Sequence, residues 1–185
     1  MSSPLAGHLL VATPALADPN FLRAVVLVLD HDEDGSLGVV VNRPTDVDVT
    51  AVLEPWSDLT ALPQVVFQGG PVALDSALGL ASVNGGEEEP LGWRRVYGKV
   101  GLVDLDAPPQ LLAAELASMR IFAGYAGWGP GQLEEEIAEG AWYVVDSETS
   151  DLFSEDPAEL WRRVLRRQIG DLAFVASFPE DPTLN

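Results

Sequence analysis

Short apolar runs broken by polar or glycine-rich stretches fill the first half of the chain and predict strands. Residues 7–12 read as a first strand. Residues 14–20 read as a loop carrying the turn formers Asp18, Pro19 and Asn20. Residues 24–29 are apolar throughout, with no alternation, which suits a strand buried on both faces. A polar turn over 30–36 and a returning strand over 37–41 complete a hairpin, and Asn42-Arg43-Pro44 ends it, since proline pushes its predecessor out of helical geometry. Residues 50–53 form a helical turn. Residues 65–68 make a strand closed by Gly69-Gly70-Pro71, and 78–83 pair nearby. Residues 84–90 make a mobile loop, and 93–103 give one or two strands.

The pattern then shifts. Residues 108–118 read as a helix with Leu111, Leu112, Leu116 and Met119 inward. Residues 121–125 form a buried strand that runs into Gly127, Gly129 and Gly131. Pro130 suits the first turn of a helix that closes near Gly140. A strand follows over 141–145. Asp156, Pro157 and Glu159 mark the start of the last long helix, whose apolar face is Trp161, Val164, Leu165 and Ile169 and whose end is Gly170. Residues 172–176 read as a final strand before a polar tail. This order predicts an α+β (mixed α/β) fold, residues 1–185 forming a single domain around a twisted sheet.

Composition narrows the function classes. The chain has 185 residues, 47% of them hydrophobic, enough for a self-sufficient core. It has no cysteine, which removes disulfides, thiolate catalysis and zinc–sulfur sites and fits a reducing cytoplasm. The formal net charge is −19. Such a field opposes direct binding to nucleic acid or anionic lipid and favours basic partners. Residues 9–12 are apolar and Ala15-Leu16-Ala17 resembles a cleavage site, but no Lys or Arg precedes them, so no targeting segment is expected. No apolar stretch reaches the roughly 20 residues a bilayer needs.

The stretch Gly124-Tyr125-Ala126-Gly127-Trp128, followed by Gly131-Gln132-Leu133-Glu134 and Ile137, resembles the signature of the AlgH family of bacterial proteins. Residues 7–21, residues 31–44 with their Gly-x-x-x-Asn-Arg-Pro ending, Gly69-Gly70-Pro71-Val72 and residues 161–170 agree with it. The resemblance covers nearly the whole chain. It implies a sheet curled into a partial barrel with helices outside, and a regulatory label without an established activity. Family members usually carry Ser where this chain has Ala24, and Arg and His where it has Ser76 and Ala81. Chemistry that needs that hydroxyl or imidazole cannot run here.

Four motifs invite a chemical reading. Asp30-x-Asp32-x-Asp34-Gly35 copies the opening of a calcium loop, but Val41 stands where the closing Glu belongs. Gly127-x-Gly129 with Asp146 imitates a dinucleotide turn, but Gln132 replaces the third glycine and Glu134, Glu135 and Glu136 crowd the end that would take a pyrophosphate. No Gly-x-Ser-x-Gly elbow accompanies His31. Arg162, Arg163, Arg166 and Arg167 share one helix and are expected to pair with the chain's own carboxylates. No catalytic residue, metal or cofactor is therefore assigned. The leading expectation is a cytoplasmic, non-enzymatic regulatory or binding protein acting on a protein partner or small ligand. The rival is a small-molecule or nucleotide-binding enzyme using the Gly127–Gln132 turn. Candidate ligand contacts are Asn20, Arg23, His31, Asn42, Arg43, Trp128 and Gln132. His31, Asn42 and Gln132 gathered beside Trp128 would favour the rival. The oligomeric state stays open.

Overall fold

The N-terminal apolar runs become the middle of a ten-stranded sheet. The computed structural model describes residues 5–16, 18–85 and 88–177. Strands β1 (Leu9–Ala12), β2 (Val25–Asp32) and β3 (Gly35–Val40) pair antiparallel in sequence. β4 (Pro44–Asp48) pairs with β5 (Val65–Gln68). β6 (Val72–Val83), β7 (Trp93–Tyr97) and β8 (Val100–Val103) precede the longest strand, β9 (Leu116–Trp128), and β10 (Trp142–Val145) comes last. The main path runs β10-β1-β2-β3-β9-β6-β8-β7, and β5 joins β9 in parallel across Phe67 and Phe122. The path has two ends, so the sheet is not closed into a barrel.

Burial follows the pattern. Leu9, Val11, Val25 and Leu27 share one core with Trp161, Val164 and Leu165. Leu10, Ala12, Val26 and Val28 share another with Trp128, Leu133 and Trp142. The unalternating run is thus sandwiched between α3 (Leu160–Arg166) on one face and α2 (Gln132–Ala138) on the other. A third core, with Trp56, Trp93, Met119 and Ile121, fills the other half of the sheet. The helical turn expected near residue 50 is α1 (Val49–Leu53).

Several elements differ from the sequence reading. The polar turn over 30–36 is much shorter: β2 continues to Asp32 with Asp30 and Asp32 exposed and His31 buried, leaving Glu33 and Asp34 as the turn. The helix expected over 108–118 is a single 3-10 turn, Pro109–Leu111, and β9 begins at Leu116. Pairing with β6 from Leu116 onward outweighs local helix propensity. Leu112 and Met119 are buried as expected, but Leu111 is half exposed. Residues 172–176 form a short helix, α4 (Leu172–Val175), because a brief apolar run cannot by itself distinguish strand from helix. Ile169 is fully exposed because α3 stops at Arg166. Asp156 makes no capping hydrogen bond; the reciprocal box joins Glu148 and Asp151 instead. Gly86 and Glu87 of the expected mobile loop, and residues 178–185 of the tail, lie outside the described residues.

Candidate functional site

The seven candidate side chains fall into two groups. Asn20, Arg23, Asn42 and Arg43 gather where β2 begins and β3 ends. Arg23 has a left-handed backbone, φ 54°, unusual for a residue with a side chain. Asn42 holds the bend: its Nδ2 donates to the Arg23 carbonyl at 3.0 Å and its Oδ1 accepts from the Val25 amide at 3.0 Å. Arg43 holds the preceding loop, donating to the carbonyls of Pro19, Asn20 and Leu22. Burial lowers the Arg43 pKa, and Asp18 partly offsets this. The Arg23 guanidinium lies 4.2 Å from the Trp161 ring centroid, a cation–π contact. The Trp161 indole is itself fixed, donating to the Ala12 carbonyl at 2.8 Å.

Leu22, Arg23, Asn42 and Arg43 line a cleft of about 190 Å³ whose far wall is Pro157, Ala158, Trp161 and Arg162, and Asn20 lies outside its lining. Three arginines, Arg23, Arg43 and Arg162, thus line one hollow. The sequence reading grouped Arg162 with Arg163, Arg166 and Arg167. Arg163 donates to Ser154 at 2.8 Å, and Arg167 grips buried Asp151 through two bonds of 2.6 Å and Glu148 at 2.9 Å. That carboxylate pair raises the Arg167 pKa. Trp161 and Arg162 were not singled out as cleft residues, because their approach to Arg23 joins segments far apart in sequence.

His31, Trp128 and Gln132 gather instead around α2. Trp128 is buried, its ring stacked on Phe21 at 6.3 Å and edge-on to Trp142 at 6.2 Å. One carboxylate ties this corner together: Glu136 Oε1 accepts from both indole N–H groups at 3.0 Å, and Oε2 accepts from Gln132 Nε2 at 2.9 Å. The other end of the Gln132 amide accepts from the Gly129 amide at 3.0 Å, occupying a donor that a phosphate would need. Of the three motif glycines only Gly131 has a left-handed backbone, φ 72°; Gly127 lies within β9. Asp146 follows β10 at the sheet edge, four places from β9 and antiparallel to β1, so the two strands of a dinucleotide unit are not neighbours. His31 Nδ1 meets the Ser36 hydroxyl across the hairpin, and Nε2 lies 3.5 Å from Glu134. His31 and Gln132 therefore share the Trp128 corner, while Asn42 belongs to the arginine cleft.

Arg120 was missed altogether. It is 1% exposed, donates to the carbonyls of Leu62 at 2.7 Å and Leu152 at 3.3 Å, and lies 4.2 Å from the Phe67 ring. A lone charge inside an apolar run was its sequence signal.

An open, mostly antiparallel sheet braced by short helices defines an α+β protein of the class seen in AlgH. The AlgH-like family model matches residues 9–173, and the chain belongs to that family. It is 70% identical to a UPF0301 protein of Streptomyces coelicolor, over 99% of this chain and 96% of the relative. It is 53% identical to a UPF0301 protein of Thermobifida fusca, over 98% of this chain and 96% of that one. Among solved structures, a protein from Corynebacterium diphtheriae superposes with a TM-score of 0.90 at 32% identity, over 95% of this chain and 93% of the other. The solution structure of AlgH from Pseudomonas aeruginosa gives a TM-score of 0.67 at 28% identity, over 96% of both chains. Among the described residues no helix is long and apolar enough to cross a membrane.

Proposed function

We propose that this chain is a cytoplasmic, non-enzymatic regulatory protein that takes a small anionic ligand in the arginine cleft. The observation that carries the reading is the convergence there of Arg23, Arg43 and Arg162, three of the ten basic side chains in a molecule of net charge −19. An acidic chain presents an anion with a repulsive field unless cations are concentrated at one point. The guanidinium fork matches carboxylate and phosphate oxygens. The cleft, at about 190 Å³, suits a small acid or the phosphate end of a metabolite better than a whole nucleotide. Nucleic acid is disfavoured, because its affinity draws on many phosphate contacts spread along a surface. Regulation would act by changing how the cleft rim meets a protein partner.

Calorimetric titration with phosphate, sugar phosphates and dicarboxylates tests this. At least one is expected to bind, with Arg162→Ala weakening it about tenfold, the value of one charge-assisted hydrogen bond. No heat and no thermal shift with any of these anions would overturn the reading.

One observation favours a second reading, an acyl-transfer enzyme at the Trp128 corner. Glu134 beside His31 Nε2 favours the tautomer that leaves Nδ1 free to accept the Ser36 proton, the hydroxyl–base–acid order of a hydrolase. A fluorophosphonate probe distinguishes the two readings. Labelling of Ser36 that disappears in His31→Gln supports the enzyme, and an unlabelled chain removes it.

A further inference from the structure

The second hollow is built by an irregularity in β6. Val72 pairs with Tyr125 and Ala77 with Ala123, so residues 73–76 stand opposite Gly124 alone. The excess backbone arches outward. Ala73 adopts a left-handed φ of 51°, strained for a residue with a side chain. The arch presents Leu74, Asp75 and Ser76 as one wall of a groove of about 330 Å³. Val47 of the edge strand β4 and Val52 and Leu53 of α1 form the other wall, over a floor of Val66, Ile121 and Ala123. Val47, Val52 and Leu74 are 44%, 55% and 52% exposed, a concentration of open apolar surface in one place.

We propose that this groove binds a small apolar molecule bearing a cationic group, an aliphatic amine in the simplest case. Its volume falls within the range of small-molecule sites, about 300–1,000 Å³, and such sites combine apolar walls with a few fixed polar groups. Asp75 carries the one charge among the described lining residues. Asp46 and Asp48 stand exposed on the adjoining edge strand. The whole molecule adds its field of net charge −19, which draws cations and repels fatty acids of the same length. The apolar tail would lie between Val52 and Leu74, with the ammonium at Asp75.

Calorimetry on the full chain with octylamine, octanol and octanoate, below their aggregation concentrations, tests the assignment. Octylamine is expected to bind most tightly and octanoate least. Ala77→Trp fills the groove from an exposed position and should cut octylamine affinity at least tenfold. Asp75→Lys, also exposed, should weaken octylamine about fivefold and place octanoate above it. Arg162→Ala should leave the amine unaffected, which separates this site from the arginine cleft. Octanoate binding as tightly as octylamine, or an amine affinity indifferent to both groove substitutions, overturns the proposal. So does sedimentation equilibrium in which Ala77→Trp splits a dimer, since the groove would then be a seam between copies.

Discussion

Arg120 shows what a single side chain can cost and hold at once. Its guanidinium ties the loop at Leu62 to the 3-10 turn at Leu152, yet burial pulls its pKa from the ordinary guanidinium range down to about 10. At neutral pH the charge is present in both folded and unfolded chains, so the folded state bears the full desolvation penalty. As pH rises past 10 the folded chain releases this proton while the unfolded chain keeps it. The unfolded state then binds more protons, and stability rises with pH. Against an Arg120→Met reference, the wild type is therefore expected to gain about 1 kcal/mol between pH 8 and pH 10.5. Urea denaturation of both proteins at the two pH values measures the difference. A flat difference would mean that the buried guanidinium keeps its proton through pH 10.5, held by its carbonyl partners and the Phe67 ring.

Among the elements, the crossing of β9 over the Gly69-Gly70 turn after β5 sets the shape of the sheet. A Cβ on Gly124 would lie 2.6 Å from the Gly70 carbonyl oxygen and 2.9 Å from that of Val72, on a backbone with φ 77°. Both obstacles are main chain and cannot swing aside. Gly124→Ala is expected to cost about 3 kcal/mol or more, by strain and by forcing the β6 arch away. Gly127→Ala, whose Cβ would meet nothing nearer than the Tyr125 ring at 3.7 Å, should be nearly silent. Chemical denaturation of the two variants compares them. The sequence reading put Gly124 inside a strand and the bend at Gly127, whereas the fold places both in β9 and the left-handed backbone at Gly124. The same limit explains what else was legible. The run at residues 24–29 was legible because it is apolar at every position, rich in valine and followed by a polar turn, which together favour a doubly covered strand over a helix. Residues 116–118 did not declare themselves as strand, since their conformation is decided by β6, more than thirty residues earlier. At the candidate site, Asn42 and Arg43 stood out as polar residues ending a strand. Trp161 and Arg162 lay hidden because a helix face looks the same whether it closes a cleft or meets solvent.

At the scale of the whole molecule, charge dominates. Twenty-nine acidic side chains against ten basic ones give a surface that repels itself, and this raises the free energy of the compact state more than that of the expanded chain. The fixed ion pairs work in the opposite direction, but the strongest, Arg167 with Asp151, has its carboxylate only 1% exposed and is weakly screened. Raising sodium chloride from 0.02 M to 0.5 M shortens the screening length from tens of ångströms to a few and should therefore remove repulsion faster than attraction. A gain of about 1–2 kcal/mol, seen as a rise of roughly 4 °C in the unfolding midpoint, is expected. Scanning calorimetry at the two concentrations, with sucrose as a control for simple exclusion from the surface, measures it. A falling midpoint would mean that local ion pairs outweigh the global field. The selectivity argued for the apolar groove would then lose its long-range component and rest on Asp75 alone.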